Sequence, residues 1–360
     1  MKSDTLEEIQ DISEKLLRIN RLSGHEGNSK VKKALKEILR SKGIPYTEER
    51  FYVEKFIPMR AILEVQGKRI KGIPYIGSPS GVYEGYLKRD PLEGDIALFG
   101  VSHEIEGIRR AKEKGAKACI TYMETLNTHY YGAIEDVSIP VVNIKEKDLD
   151  GLEDAYIKVY VESQKKKLEC SNIIFELGRG PIVYIVDNID TRHEVFGSIE
   201  NGIGSLLLIF VADELKHTYK TPYRLRFLIT DAKELGLEGS SFHVKRGIKH
   251  TYYCINLNSV GWYYPEVIYR DAEGYNSDRM MSMFLKHAED IKMSVSFKAC
   301  EEAKGDHMPF KRTGVQTLFI SSSPFNLRHT FHDNLDAVNW DMFCAWYELI
   351  LSFLRRFHRL

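Results

Sequence analysis

Polar and ionisable residues gather at a few points late in the chain, and their types suit metal-assisted or acid–base chemistry. They are Asp187-Asn188-Ile189-Asp190, Glu200-Asn201-Gly202, Lys233-Glu234, Asn258, Gly305-Asp306-His307, and Arg328-His329-Thr330 with His332-Asp333. Carboxylates and imidazoles are donors that hold a divalent ion, and a carboxylate beside such an ion can act as general base. Any one of these points alone reads as a solvated loop, because loops are polar on general grounds. Several of them at the ends of apolar runs are what a site needs.

The elements that must position them follow from periodicity. An aliphatic run, 225–230, leads into Lys233-Glu234, and a helix former leads out. That places an oppositely charged pair at a strand end, where open α/β sheets put their ligands. Strands are also predicted at 172–177, 182–187, 252–258 and 317–321, with a hairpin between the first two across Gly178-Arg179-Gly180-Pro181. Helices are predicted at 204–216, from 240, at 279–291 and at 342–357. Alternation of this kind indicates an α/β fold on a mixed or parallel sheet.

The first half has a different texture. Helices at 5–20 and 31–40 precede mixed strand and loop from Tyr46 to Phe56. From about Met59 short strands appear, separated by Gly and Pro turns, with one helix at 105–114. The charge run Lys165-Lys166-Lys167 suits a boundary. The chain therefore divides into a discontinuous domain, 1–58 with 167–360, and an insert, 59–166.

Bulk properties narrow the function classes. Lys plus Arg equals Asp plus Glu at 51 each, so nothing supports a nucleic-acid partner or a polybasic membrane role. The longest apolar run, 206–212, is too short to span a bilayer. The N-terminus has no apolar segment of the signal-peptide type, and the five cysteines form no CxxC pair. A cytoplasmic protein is expected.

Taken together, the ordered motifs resemble peptidase family M28, the zinc-dependent aminopeptidases, over essentially the whole length. The stretches that carry the resemblance are Asn188-Ile189-Asp190, Glu200-Asn201-Gly202-Ile203-Gly204, Ala232-Lys233-Glu234-Leu235-Gly236-Leu237-Glu238-Gly239-Ser240, Ile255-Asn256-Leu257-Asn258-Ser259-Val260-Gly261, Asp306-His307-Met308-Pro309-Phe310, and His329-Thr330 with Asp333. The resemblance implies a three-layer α/β/α fold with a mixed sheet, of the phosphorylase/hydrolase-like type. Gly115-Ala116 and Ile139-Pro140-Val141-Val142 make the insert similar to a protease-associated (PA) domain.

The resemblance also implies a two-zinc site, and this chain departs from it. The positions of the first ion's own ligands hold Asn188 and Asn258. Those of the second hold Glu234 and His329, both kept. The bridging position holds Glu200, and the general-base position holds Lys233. Neutral amides are poor zinc ligands. Glu200, Glu234 and His329 would suffice for a single zinc, so at most one ion is expected. Lys233 is no base at neutral pH unless its pKa falls far. Two neighbouring carboxylates would push it the other way, so its ammonium is expected to replace a missing cation. Asp190 would orient position 188 or cap a turn. Asp306 and His307 stand at catalytic or pocket positions. His193 and His332 are substitute-ligand candidates, and Trp262-Tyr263-Tyr264 a candidate cleft wall.

Three functions remain open on this basis. The first is an impaired or inactive aminopeptidase homologue whose cleft binds a peptide or small molecule. The second is a one-zinc peptidase or amide hydrolase. The third is a structural protein acting through the insert. Oligomeric state is not indicated.

Overall fold

The structure is a computed structural model, and it describes residues 1–134, 138–322 and 325–357. In chain order the elements are α1 (Ser3–Leu16), α2 (Glu26–Ser41), β1 (Tyr46–Val65), β2 (Lys68–Pro74), β3 (Gly81–Lys88), β4 (Ile96–Gly100), α3 (Glu104–Glu113), β5 (Ala118–Tyr122), β6 (Val141–Ile144), β7 (Tyr156–Gly178) and β8 (Ile182–Asn188). Then come α4 (Ile203–Leu215), β9 (Arg224–Thr230), α5 (Glu238–Lys245), β10 (Thr251–Leu257), β11 (Pro265–Asp271), β12 (Gly274–Tyr275), α6 (Asp278–Asp290), β13 (Ser296–Ala299), α7 (Met308–Lys311), β14 (Gln316–Ser322) and α8 (Trp340–Arg356).

The functional half is a mixed sheet in the order β7-β9-β8-β10-β14-β11. β9, β8, β10 and β14 run parallel, and β7 and β11 flank them antiparallel. Alternation along each strand sends side chains to two apolar layers. Ile185, Phe227, Ile255 and Leu318 face α1, α2, α4, α6 and α8. Tyr184, Val186, Leu228 and Cys254 face the side of α5 and α7, where Phe310 packs. α4 is buried without a break from Ile203 to Ala212, which explains why its sequence shows no polar stripe. The expected three-layer α/β/α architecture is therefore present.

The predicted hairpin between 172–177 and 182–187 is absent. β9 lies between the two strands, antiparallel to β7 and parallel to β8. The Gly178–Pro181 turn thus connects strands two positions apart in the sheet rather than neighbours.

The expected boundaries at 58/59 and 166/167 fall inside two long strands. β1 pairs antiparallel with β7 from Tyr46↔Phe175 to Glu64↔Lys158, broken only by an irregularity at Pro58/Arg60. The lysine run is mid-strand, and Lys165 Nζ lies 3.1 Å from Glu54 on the facing strand. Lys165 thus pairs across the ribbon, and Lys167 Nζ lies 4.5 Å from the centre of the Tyr52 ring. Beyond the ribbon, β2 to β6 and α3 enclose their own apolar clusters, one around Leu63, Leu98 and Ile120, the other around Tyr75, Cys119 and Val141. Among the described residues, no helix is long and apolar enough to cross a membrane.

Candidate functional site

The parallel strands β8, β9 and β10 deliver their carboxyl ends to one edge; Asn188 ends β8, and the turns after β9 and β10 carry Lys233-Glu234 and Asn258. Glu200 arrives on the kinked turn before α4, and His329 on the loop after β14. The backbone is strained at these turns. Ala232, Ser259 and His329 have φ of 59°, 52° and 58°, a region L-residues enter at some cost. Gly197 is required before the Glu200 turn, because a Cβ there would meet the Glu200 carbonyl oxygen at 2.5 Å.

Buried polar residues hold these turns in place. Arg21 is fully buried and donates to the carbonyls of Ile19, Ile189 and Gly197, fixing the loop after β8. Asp190 accepts the backbone N–H of Lys233 at 3.2 Å and of Glu234 at 2.9 Å, and also an amide hydrogen of Asn188. It therefore caps the 233–234 turn and orients position 188 at once. Asp333 does the same for Glu200, accepting the N–H groups of Ile199 and Glu200 at 2.8 and 3.2 Å.

At the centre, Lys233 Nζ donates to Glu200 Oε1 at 2.7 Å and to Glu234 Oε1 at 2.5 Å. The Lys233 side chain is 10% exposed and both carboxylates 2%, so the charges are paired out of water. Burial works against the ammonium, but the two carboxylates outweigh it and raise the Lys233 pKa. Burial likewise opposes the Glu200 carboxylate, yet Lys233, Arg328 and His329 hold it at about 2. Glu234 is held well below the usual carboxylate range against burial by Lys233 and Arg192, whose Nε also donates to Glu234 Oε2. Lys233 therefore has no lone pair to offer as a base.

Beside this cluster, three asparagine side chains close on one another. Asn201 Oδ1 accepts the Ser259 N–H at 2.6 Å, which turns the Asn201 amide nitrogen toward the other two. It donates at 2.5 Å to Asn188 Oδ1 and at 2.5 Å to Asn258 Oδ1. The two amide oxygens that stand where the first ion's ligands are expected thus share the hydrogens of a third amide. Ser259 Oγ adds a bond to Glu200 Oε2 at 3.0 Å.

His329 closes the far side. Burial first, then Arg192, lowers its pKa to about 4, so the ring is neutral. Its Nδ1 is 3.0 Å from the Tyr130 hydroxyl, and Tyr130 also reaches Glu104 Oε2 at 3.5 Å. Its Nε2 is 3.2 Å from Glu234 Oε2. With Glu234 ionised, the tautomer carrying hydrogen on Nε2 suits that contact best. A cavity of about 570 Å³ opens over the cluster, and Glu104, Ile108, Tyr130 and Ile134 of the 59–166 segment line it opposite Lys233 and Arg328.

Several expected site residues lie elsewhere. Asp306 accepts from Thr230 Oγ1 and Ser240 Oγ at 2.7 and 2.5 Å beneath the strands, and His307 is fully buried against Asp271 at 2.9 Å. Neither lines the cavity. His193 turns to Glu194 and His332 is exposed, so neither joins the cluster. Trp262 packs on Phe325, and Tyr263 and Tyr264 are exposed beside a different hollow. Arg192, Arg328, Asn201, Ser259, Tyr130 and Glu104 are site residues that the sequence reading did not single out. Asn201 and Arg328 sit inside motifs already quoted, whereas Tyr130 has no local signal.

Donor chemistry separates the two metal positions. The three asparagines are neutral and satisfied by one another, and they do not fit a zinc ion. Glu200, Glu234 and His329 offer donor atoms within 4.8 Å of one another, which is a ligand set in type. As arranged, the Lys233 ammonium takes Oε1 of both carboxylates and the Arg192 guanidinium takes Oε2 of Glu234. A divalent ion would have to displace Lys233 and turn the His329 tautomer.

Comparison with known proteins places this geometry in context. Residues 176–354 match the sequence model of peptidase family M28. No curated protein matches the chain. Among solved structures, an aminopeptidase from Aneurinibacillus sp. strain AM-1 is similar with 19% identity and a TM-score of 0.78, over 98% of this chain and 93% of that one. BSAP, a zinc aminopeptidase from Bacillus subtilis, is similar with 20% identity and a TM-score of 0.79, over 96% of this chain and 93% of that one. An Acidobacteriales bacterium glutaminyl cyclase follows at 14% identity and a TM-score of 0.60, over 99% of this chain and 95% of that one. At these identities the likeness is one of fold. With the family match over the functional half and this agreement along almost its full length, the chain belongs to family M28 as a peptidase-like protein.

Proposed function

We propose that this M28 homologue is a metal-free, non-hydrolysing protein that keeps the family's cleft to bind a peptide or amino-acid-sized ligand. The observation that carries the reading is the Lys233 ammonium bonded to both Glu200 and Glu234. One side chain thereby removes the general base and supplies the positive charge that two buried carboxylates need. The asparagine trio does the equivalent at the neighbouring position with neutral groups. What stays open is the cavity above, with a volume suited to a small ligand.

The test is turnover of aminoacyl-anilide substrates, with and without added zinc. No release above buffer is expected in either case. Release that depends on zinc and disappears in His329→Ala would overturn the reading. It would favour a second one, a one-zinc amide hydrolase using Glu200, Glu234 and His329, which draws on the proximity of those donors. The fold shared with glutaminyl cyclases widens the reactions worth assaying in that case.

A further inference from the structure

The cavity over Lys233 has a charge balance that selects its ligand. Its acids at the floor are already paired: Lys233 bonds Glu200 and Glu234, and Arg192 bonds Glu234 through Nε. One donor is left over there: among the described residues, Arg192 Nη1 is buried without a hydrogen-bond partner. A third cation, Arg328, is half exposed on the same wall, with its Nε 4.0 Å from Glu200 Oε2. Arg192 and Arg328 repel each other across this space. An unpartnered buried donor and two guanidiniums that face each other describe the seat of an anion. The rest of the lining is mixed: Ile76, Ile105, Ile108, Ile134 and Leu235 form an apolar stretch, beside charged residues of both signs that include Glu104.

We infer that the cavity takes a carboxylate borne on an apolar residue, with the carboxylate between Arg192 Nη1 and Arg328 and the side chain against the isoleucine wall. A peptide's C-terminal residue and a free N-acyl amino acid share this chemistry. A ligand amine gains nothing at the floor, because Glu200 and Glu234 are neutralised and Lys233, Arg192 and Arg328 surround the site. The polarity is thus the reverse of recognition through a free N-terminus. This deepens the non-hydrolytic reading and rests on it, since the paired floor is what leaves the arginines in excess.

The experiment is calorimetric titration of the full chain at low salt with leucyl-leucine, N-acetyl-leucyl-leucine, leucyl-leucinamide and N-acetyl-leucine. Acetylation of the amine is expected to change affinity less than about threefold, and amidation of the carboxylate to weaken it by about tenfold or more. N-acetyl-leucine as tight as the acetylated dipeptide would assign a single amino acid as the ligand. N-acetyl-leucine about tenfold weaker would assign a peptide end, and both results support the inference. Arg328→Ala should lose about tenfold for the acetylated dipeptide and Arg328→Lys less, with neither changing leucyl-leucinamide binding. Equal binding of acid and amide, loss on acetylation, or no binding of any of the four would overturn it. Zinc content measured on the same sample separates the two readings. Bound zinc with the carboxylate preference intact sinks the metal-free reading alone, and zinc-free protein without the preference sinks this inference alone.

Discussion

Lys233 Nζ stands 2.7 Å from Glu200 Oε1, in a place where both side chains are almost wholly out of water. An ammonium so placed is a fixed positive charge, and the site's remaining groups are arranged around it. Glu234 binds its other side, and Arg192 and His329 pack on Glu234.

Lys233→Met should therefore leave two carboxylates facing each other without a cation. Breaking a buried pair from one side costs roughly 3–5 kcal/mol, so the urea midpoint at neutral pH should drop accordingly. Zinc should restore much of the loss by occupying Glu200, Glu234 and His329, and His329→Ala in the same background should remove that rescue. An unchanged midpoint without zinc would contradict the pairing.

The acid limb of stability carries the same signature. Glu200 is held at about 2, down from an ordinary 4.5. A depressed carboxyl contributes its stability fully above the unfolded value, and the contribution fades as pH falls from 4.5 toward 2. Lys233 is shifted upward from 10.5, so its contribution is complete below that value and fades only as pH rises past it. Denaturation at pH 3 and pH 7 should show wild type losing more than Glu200→Gln, by on the order of 1–3 kcal/mol. Matching losses would contradict the shift.

Asn201 should matter as much as any charged residue. Asn201→Ala strands the oxygens of Asn188 and Asn258 and the N–H of Ser259, all buried. Each orphaned group costs about 1–3 kcal/mol, and partial rearrangement brings the expected sum to about 2–4 kcal/mol in an unfolding titration. Asn201→Asp should be worse, because a carboxylate would face two carbonyl oxygens. Wild-type stability in both variants would refute the trio.

Rebuilding the metal chemistry should need several changes at once. Asn188→His, Asn258→Asp, Lys233→Glu and Glu200→Asp together are expected to take up zinc and gain anilide hydrolysis, while each alone gains none, because ligands of one site act as a unit. Hydrolysis gained by Lys233→Glu alone would show that the asparagine trio is no obstacle.

The peptidase-like half was legible because its strands are short apolar runs and its motifs sit at their ends. Lys233 bonds Glu200 and Glu234, and His329 stands beside Glu234. The β1–β7 ribbon was not legible, because solvated faces interleave charge with apolar residues along Tyr46–Val65 and Tyr156–Gly178. Its lysines suited a boundary for the same reason. Asp306 and His307 sit in a motif of the right order, but burial beneath the strands, which order does not report, takes them from the cavity. Tyr130 reaches His329 across 199 positions, and no local pattern marks such a partner.

The central claim is that Lys233, not a metal ion, balances Glu200 and Glu234. Its most direct measurement is the zinc content of full-length protein purified without chelator. The expected result is none per chain, with Lys233→Met gaining one equivalent. One or two equivalents in the unaltered protein would contradict the account.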